Sequence, residues 1–467
     1  MRFTRIVVML TFSSNAVINV FLIGFFARIG GIELVGHWAL LGAVMLAVMI
    51  LDFGAVNALT YRIAKDGLDC VAPILRKMLR LAALFGVGMG IVVVGAFQLA
   101  GEIIQGVLLA SSAALFQLTS SWLIAIRMGR QQHYWFNIKT IIRVVVQALA
   151  AIALLQLDSP YPAIVLFGIA LVLGGMAELL MAFILTFRVF NLSGTGASFA
   201  SVRKLLAGFS VTDIGLRAYQ PLSQLLAAQL LGATAVGIFT VALRIPVVVN
   251  QALNEALRAL LPSLANMLTN EDLDLAIRLL RDSVAIQLIL VVPAGIFLLV
   301  HAPLVIALWL GTIDPTIVSA MRAFTCALIV AALGMPFYWA AQAGGQAGLL
   351  GWVGLVIIVA VLAVGATTMT FTGNIVHFTL VYAMGQAIRA LSAITICAVK
   401  LRLVQPVIAQ MGWLRATAYL LVVVTLNTAL MFASAHMTTL EGFLMVTSLN
   451  AIVIGPLAFL SMSRKWI

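Results

Sequence analysis

The chain is short of charge. Only 9% of its 467 residues are Asp, Glu, Lys or Arg, while 63% are hydrophobic; a soluble domain carries about 25% charged residues. That balance excludes an ordinary soluble enzyme and indicates an all-α polytopic membrane protein. Cysteine is scarce as well. Cys70, Cys326 and Cys397 are odd in number and far apart, so neither a disulfide framework nor a metal site is expected. No Walker loop, Ser-His-Asp set or glycine-rich nucleotide fingerprint occurs. No cofactor is therefore expected, and transport would not draw on ATP hydrolysis by the chain itself. Long outer loops are missing too. Segments such as Asp158-Ser-Pro-Tyr-Pro162 and Phe371-Thr-Gly-Asn374 leave no room for a membrane enzyme working through a large extracytoplasmic domain.

Acid is the scarcer sign, with 15 Asp and Glu against 27 Lys and Arg. The excess does not indicate nucleic acid, because the basic residues sit in short loops between apolar spans. The first apolar run, after Met1-Arg-Phe-Thr-Arg5, is too long for a signal peptide and carries Asn15 and Asn19, so it reads as an uncleaved span.

A span needs about 20 apolar residues. That rule gives about fourteen helices: 6–27, 34–60, 81–100, 103–126, 141–157, 163–187, 205–230, 236–262, 284–303, 304–340, 349–371, 375–397, 413–435 and 441–461. The tenth begins with an outer loop, Leu310-Gly-Thr-Ile-Asp-Pro315, so its helix is nearer 317–342. With the N-terminus inside, 21 of the basic residues lie on the inner side, Lys139 and Arg143 among them, and only Arg28 lies outside. The positive-inside rule then puts both termini in the cytoplasm. Prolines 221, 246, 293 and 336 fall inside spans, and Gly334-Met-Pro336 reads as a broken helix. Gly86-Val-Gly-Met-Gly90 suits close helix contact.

The turn after span 1 reads Gly30-Gly-Ile-Glu-Leu-Val-Gly-His-Trp38, and the turn after span 7 reads Gly232-Ala-Thr-Ala-Val-Gly-Ile-Phe239. Both carry Gly, a spacer, then Val-Gly-x-aromatic. The two stand six spans apart, which suggests two parallel six-helix lobes plus two added helices. The corresponding division is 1–190 for spans 1–6, 191–204 for a cytoplasmic linker, 205–400 for spans 7–12 and 401–467 for spans 13 and 14.

These hairpins, with Leu51-Asp-Phe-Gly-Ala-Val-Asn-Ala-Leu-Thr-Tyr-Arg62 and Leu231 to Ile245, resemble the bacterial polysaccharide transporters of the O-antigen flippase type. That family shares a superfamily with lipid II flippases and multidrug and toxic compound extrusion antiporters. The resemblance implies a V-shaped two-lobe bundle in the bacterial inner membrane that opens alternately to each side. It implies as substrate an undecaprenyl-diphosphate-linked oligosaccharide, with a polysaccharide polymerase and a chain-length regulator as partners.

Five arginines lie inside spans: Arg217, Arg244, Arg258, Arg322 and Arg389. A guanidinium in hydrocarbon is costly and is kept where it meets a cavity, a counter-ion or a substrate. Its planar fork matches phosphate oxygens and stays charged. Helical spacing groups polar residues into stripes: Asp213, Arg217, Gln220 and Gln224; Arg244, Gln251, Glu255 and Arg258; Tyr382, Gln386 and Arg389; Thr11, Asn15 and Asn19. One hydrophilic cavity lined by Arg217, Arg244, Arg389, Asn15, Asn19, Gln220, Gln224 and Gln251 would explain them together. Two readings of Arg217 stay open, since Asp213 one turn away neutralises it locally. Arg258 and Arg322 sit near span ends and can snorkel. Among the acids within spans, Glu178, Asp52 and Asp213 are the candidates for H⁺ or Na⁺ coupling, Glu178 foremost because no basic residue lies within four positions. A multidrug cation antiporter is the alternative, weakened by the basic excess; a lipid II flippase is a close variant.

Overall fold

The computed structural model describes residues 2–52, 54–66, 73, 75–80, 84, 86, 88, 101–130, 132, 134–157, 159–186, 214–215, 217–257, 260–411, 413–434 and 439–450. All the regular structure among them is helical. Helix α1 spans Arg2–Met49 and is followed by a 3₁₀ turn, Ile50–Asp52, and α2, Ala55–Asp66. Then come α3 (Glu102–Gly129), α4 (Tyr134–Gln156), α5 (Ala163–Thr186), α6 (Tyr219–Leu257), α7 (Leu260–Thr269), α8 (Leu273–Leu310), α9 (Pro315–Ala343), α10 (Ala347–Thr372), α11 (Ile375–Ile396), α12 (Val404–Ala409) and α13 (Trp413–Ser434). Ten helical segments among the described residues are long and apolar enough to cross a membrane. Two of these hold two expected spans each: α1 breaks at Gly31 (φ 73°) and α6 at Gly232 (φ 83°). Most of the expected third span lies outside the described residues, and the fourteenth is seen only as the helical stretch 439–450.

Two of the short loops expected on the outer side are tight turns. At 311–314, Gly311 takes the left-handed conformation that ends α8, and the Asp314 carboxylate caps α9 by accepting from the Thr316 amide at 2.7 Å. At 373–374, Gly373 and Asn374 do the same for α10 and α11. The boundary expected at 304 is corrected: residues 304–310 continue α8. The break expected at Gly334–Pro336 is also absent, because α9 runs unbroken through it. Gly334 serves packing, since a Cβ there would lie 2.8 Å from that of Ala390 on α11. Pro221 falls in the first turn of α6, where a missing N–H costs little.

The molecule divides into two compact units, Met1–Gly237 and Ile238–Ile467. In the first, small residues let α3 and α5 approach closely: a Cβ at Gly175 would fall 3.0 Å from the Ala113 carbonyl, and one at Gly106 2.9 Å from Ile164. Gly90 of the expected contact motif lies outside the described residues, and a Cβ at Gly86 or Gly88 meets nothing described within 4 Å.

The repeated turns meet inside this first unit, and they meet reciprocally. A Cβ at Gly36 would lie 1.9 Å from the Ala233 carbonyl oxygen, and one at Gly237 2.2 Å from that of Ile32. Gly31 and Gly232, at equivalent places, share their backbone angles to within about ten degrees. The repeat is thus a local two-fold in which each hairpin's backbone fills the space that the other's glycine leaves. The aromatic positions also correspond. Trp38 packs on Phe26 and Phe167, and Phe239, in the second unit, packs on Phe324, Phe378 and Tyr382.

In the second unit two prolines organise α8. Pro293 and Pro303 cannot donate to the carbonyls of Ile289 and Leu299, four residues earlier. Both carbonyls find side chains instead. The Tyr419 hydroxyl of α13 donates to Ile289 at 3.0 Å, and Arg322 Nε of α9 donates to Leu299 at 3.0 Å. In hydrocarbon a freed carbonyl must be satisfied within the protein. The C-terminal helices are joined to each other by a paired amide contact, Asn427 Nδ2 to Asn450 Oδ1 at 3.1 Å and Asn450 Nδ2 to Asn427 Oδ1 at 3.3 Å.

Two predictions arise. Gly36→Ala and Gly237→Ala should each destabilise the purified protein by about 1–3 kcal/mol, whereas Gly42→Ala, with open space around it, should leave its melting temperature unchanged. Tyr419→Phe should cost about 0.5–1.5 kcal/mol in the native background and close to nothing beside Pro293→Ala, where the backbone again supplies a donor to Ile289. A thermal double-mutant cycle in detergent reads this coupling.

Candidate functional site

The strongest polar constellation lies in the first unit, between α3, α4 and α5. Lys139, Arg143 and Gln147 form one stripe on α4 at every fourth position. They face Glu178 and Gly174 on α5. Lys139 Nζ lies 2.5 Å from Glu178 Oε1 and also donates to the hydroxyls of Ser120 and Ser121 on α3, at 3.3 and 3.1 Å. Arg143 Nε lies 3.1 Å from Glu178 Oε2, an ion pair in which neither atom makes a well-aligned hydrogen bond. Its Nη1 donates to Gln147 Oε1 at 3.2 Å. Gly174 makes the contact possible, because a Cβ there would sit 2.2 Å from the Gln147 side chain. Lys139 and Glu178 are both 1% exposed.

Lys139 and Arg143 thus both lie on α4, which begins at Tyr134 and so starts seven residues before the span expected from 141. Glu178, without basic neighbours in sequence, has two basic partners in space. The sequence signal was the stripe on α4 itself, hidden because cations next to a span end read as loop residues. Breaking a buried pair strands its partner's charge.

Asp52 is likewise engaged. Its Oδ1 accepts from Trp122 Nε1 at 2.7 Å and its Oδ2 from the Val56 amide at 3.3 Å, so it caps α2 and ties it to α3. Asn15 and Asn19 pair with each other, Nδ2 of Asn19 donating to Oδ1 of Asn15 at 2.7 Å. Arg217, exposed, and Gln224, buried, each make further contacts, and Gln220 is half-buried. Asp213 and Arg258 lie outside the described residues, as does the side chain of Glu255.

The second unit holds Arg244, Gln251 and Arg389. Arg244, in the second half of α6, has a buried Nε with no hydrogen-bond partner among the described residues. Gln251 is exposed on the same helix. On α11, Gln386 donates to the Tyr382 hydroxyl at 3.3 Å, and Arg389 follows one turn later, half-buried. The ring contact of Phe239 with Tyr382, at 5.1 Å, sets the register between α6 and α11. From it Arg244 lies about 7.5 Å and Arg389 about 10.5 Å along their helices, at 1.5 Å per residue. The two cations therefore share a similar depth. Arg322 is different, since it satisfies the Leu299 carbonyl.

Residues 93–313 match the family model described as polysaccharide biosynthesis protein, which supports the likeness read from the hairpins. In structure the chain matches the lipid II flippase MurJ in an inward closed conformation, with TM-score 0.72 and 10% identity, covering 99% of this chain and 98% of that one. An inward-facing multidrug resistance MATE family transporter of the MOP superfamily matches with TM-score 0.62 and 15% identity, covering 84% and 95%. The fold is that of the MOP superfamily. A MOP superfamily transporter from Pyrococcus furiosus matches at TM-score 0.53 and 15% identity, covering 85% and 95%. No curated protein sequence matches the chain. The chain is thus a multi-pass membrane protein with the MOP transporter fold.

The buried cluster gives a test of its own. Glu178→Gln, which strands both cations, should cost about 3–5 kcal/mol, whereas Lys139→Met, which leaves Glu178 paired with Arg143, should cost clearly less. The triple variant Lys139→Met/Arg143→Met/Glu178→Leu, which removes every charge of the cluster, should recover much of the loss in Glu178→Gln, as read by melting temperature and yield of folded protein.

Proposed function

We propose that the protein is a flippase. It moves an undecaprenyl-diphosphate-linked oligosaccharide, an O-antigen or exopolysaccharide repeat unit, from the inner to the outer leaflet of the bacterial cytoplasmic membrane by alternating access. The observation that carries this reading is Arg244, a guanidinium within a span whose buried Nε has no hydrogen-bond partner among the described residues. A diphosphate would complete it, and Arg389 offers a second cation at similar depth. The match to polysaccharide biosynthesis proteins supports the substrate class. The same reading takes residues 1–190 and 205–400 as the two lobes, 191–204 as a linker, and both termini as cytoplasmic. A polysaccharide polymerase and a chain-length regulator are the partners it implies, and it makes the protein a transporter and not an enzyme.

For coupling we assign a proton and not Na⁺. Glu178 already faces Lys139 and Arg143, so an added Na⁺ would meet two cations. Protonation of its carboxyl releases both. Asp52, engaged with Trp122, fits a structural part better. A second reading is favoured by the structural match along nearly the whole chain: lipid II, another lipid diphosphate, as the cargo.

Proteoliposome flipping of each lipid diphosphate tests the reading. Arg244→Ala should slow it roughly 10- to 100-fold, the loss of a charge-assisted contact of about 1.5–3 kcal/mol, with Arg244→Lys retaining part. Undiminished flipping by Arg244→Ala at normal incorporation would refute the diphosphate clamp. A rate that answers to a sodium gradient and ignores a pH gradient would refute the proton assignment.

A further inference from the structure

The first unit carries a groove that the transport reading does not use. It has a volume of about 470 Å³ and is lined by Leu79, by Phe116, Thr119 and Leu123 of α3, and by residues of α5 from Met176 to Phe183. That size lies within the usual range for small-ligand pockets, roughly 300–1,000 Å³. Its lining is hydrocarbon apart from Thr119, and the Thr119 hydroxyl is spent on the Leu115 carbonyl at 2.8 Å. No polar group in it asks for water or for a polar ligand, so its occupant is an apolar chain. Leu180 and Met176 are exposed, which leaves the groove open to the surrounding lipid.

One end of the groove is basic. Arg127 follows Leu123 by one helical turn and donates to the Leu185 carbonyl, two residues beyond Phe183. Arg80 adjoins Leu79, and Arg76 stands one turn before it; both are exposed, and Arg76 makes a further contact within the protein. The carboxylate on the lining helices nearest the groove, Glu178, is turned into Lys139. A hydrocarbon slot ending at several arginines is complementary to an amphiphile with one negative head.

We propose that this groove is a binding site for an anionic phospholipid. One acyl chain lies between α3 and α5, and the phosphate meets Arg76 and Arg80. The site is independent of the cargo and of the cation at Arg244. Each arginine near a membrane surface favours an anionic lipid by about 1 kcal/mol, or about five-fold.

The test uses the full-length protein purified in detergent. Native mass spectrometry and melting temperature are followed while phosphatidylglycerol, phosphatidylcholine of the same chains, or undecaprenyl phosphate is added. Phosphatidylglycerol should be retained and should raise the melting temperature, and phosphatidylcholine should do so far less. Arg76→Gln and Arg80→Gln should each weaken the preference about five-fold. Leu180→Trp, at an exposed position, should fill the groove and abolish retention, while Leu173→Trp, exposed on the same helix outside the groove, should not. Equal retention of both phospholipids, or unchanged retention in Leu180→Trp, overturns the site. Preferential retention of undecaprenyl phosphate overturns the phospholipid and gives the groove to an isoprenoid chain.

Discussion

Everything in this molecule answers to one constraint: in hydrocarbon, water cannot complete a hydrogen bond that the protein leaves open. The helix α8 shows how that constraint builds tertiary structure. Its two prolines free two carbonyls, and each freed carbonyl fixes a side chain from another helix, Tyr419 of α13 and Arg322 of α9. What would be defects in an isolated helix become the points at which the second unit is fastened. The Lys139–Glu178 contact follows the same rule with charge in place of a carbonyl. Among the described residues the Nε of Arg244 is one of several buried polar atoms without a hydrogen-bond partner, and it stands out because it belongs to a full charge.

Much of the fold was legible in the sequence. Hydropathy located the spans because lipid demands long apolar runs, and the tight outer turns were visible as Gly, Asp, Asn and Pro at the points where helices had to end. The spacing of the two Val-Gly-aromatic turns revealed a repeat whose reciprocity only the structure displays. The effect of each proline was not legible. α9 continues unbroken through Pro336, while the deviation in α8 falls at His301, just before Pro303. A proline's consequence depends on what neighbouring helices donate, and the sequence of one helix does not contain its neighbours.

The candidate site was read less completely, for the same reason. Within single helices two of the expected neighbours meet: Gln386 reaches Tyr382, and Asn19 reaches Asn15. Partners across helices were invisible. Glu178 looked isolated because its counter-ions lie about forty residues earlier, on α4. Arg322 looked like a snorkelling cation because its partner is a backbone atom, although the pattern of a proline four residues after an orphaned carbonyl was there to be found.

The reciprocal glycines carry a consequence for how this chain can change over evolutionary time. Each hairpin is the mould of the other, with Gly36 fitted to the backbone at Ala233 and Gly237 to that at Ile32. A backbone wall, unlike a side chain, cannot be trimmed by substitution. The two halves have therefore lost the freedom to drift apart at this one place, however far they diverge elsewhere. The symmetry of the two turns is held there as a mechanical fit, where most of the sequence does not show it.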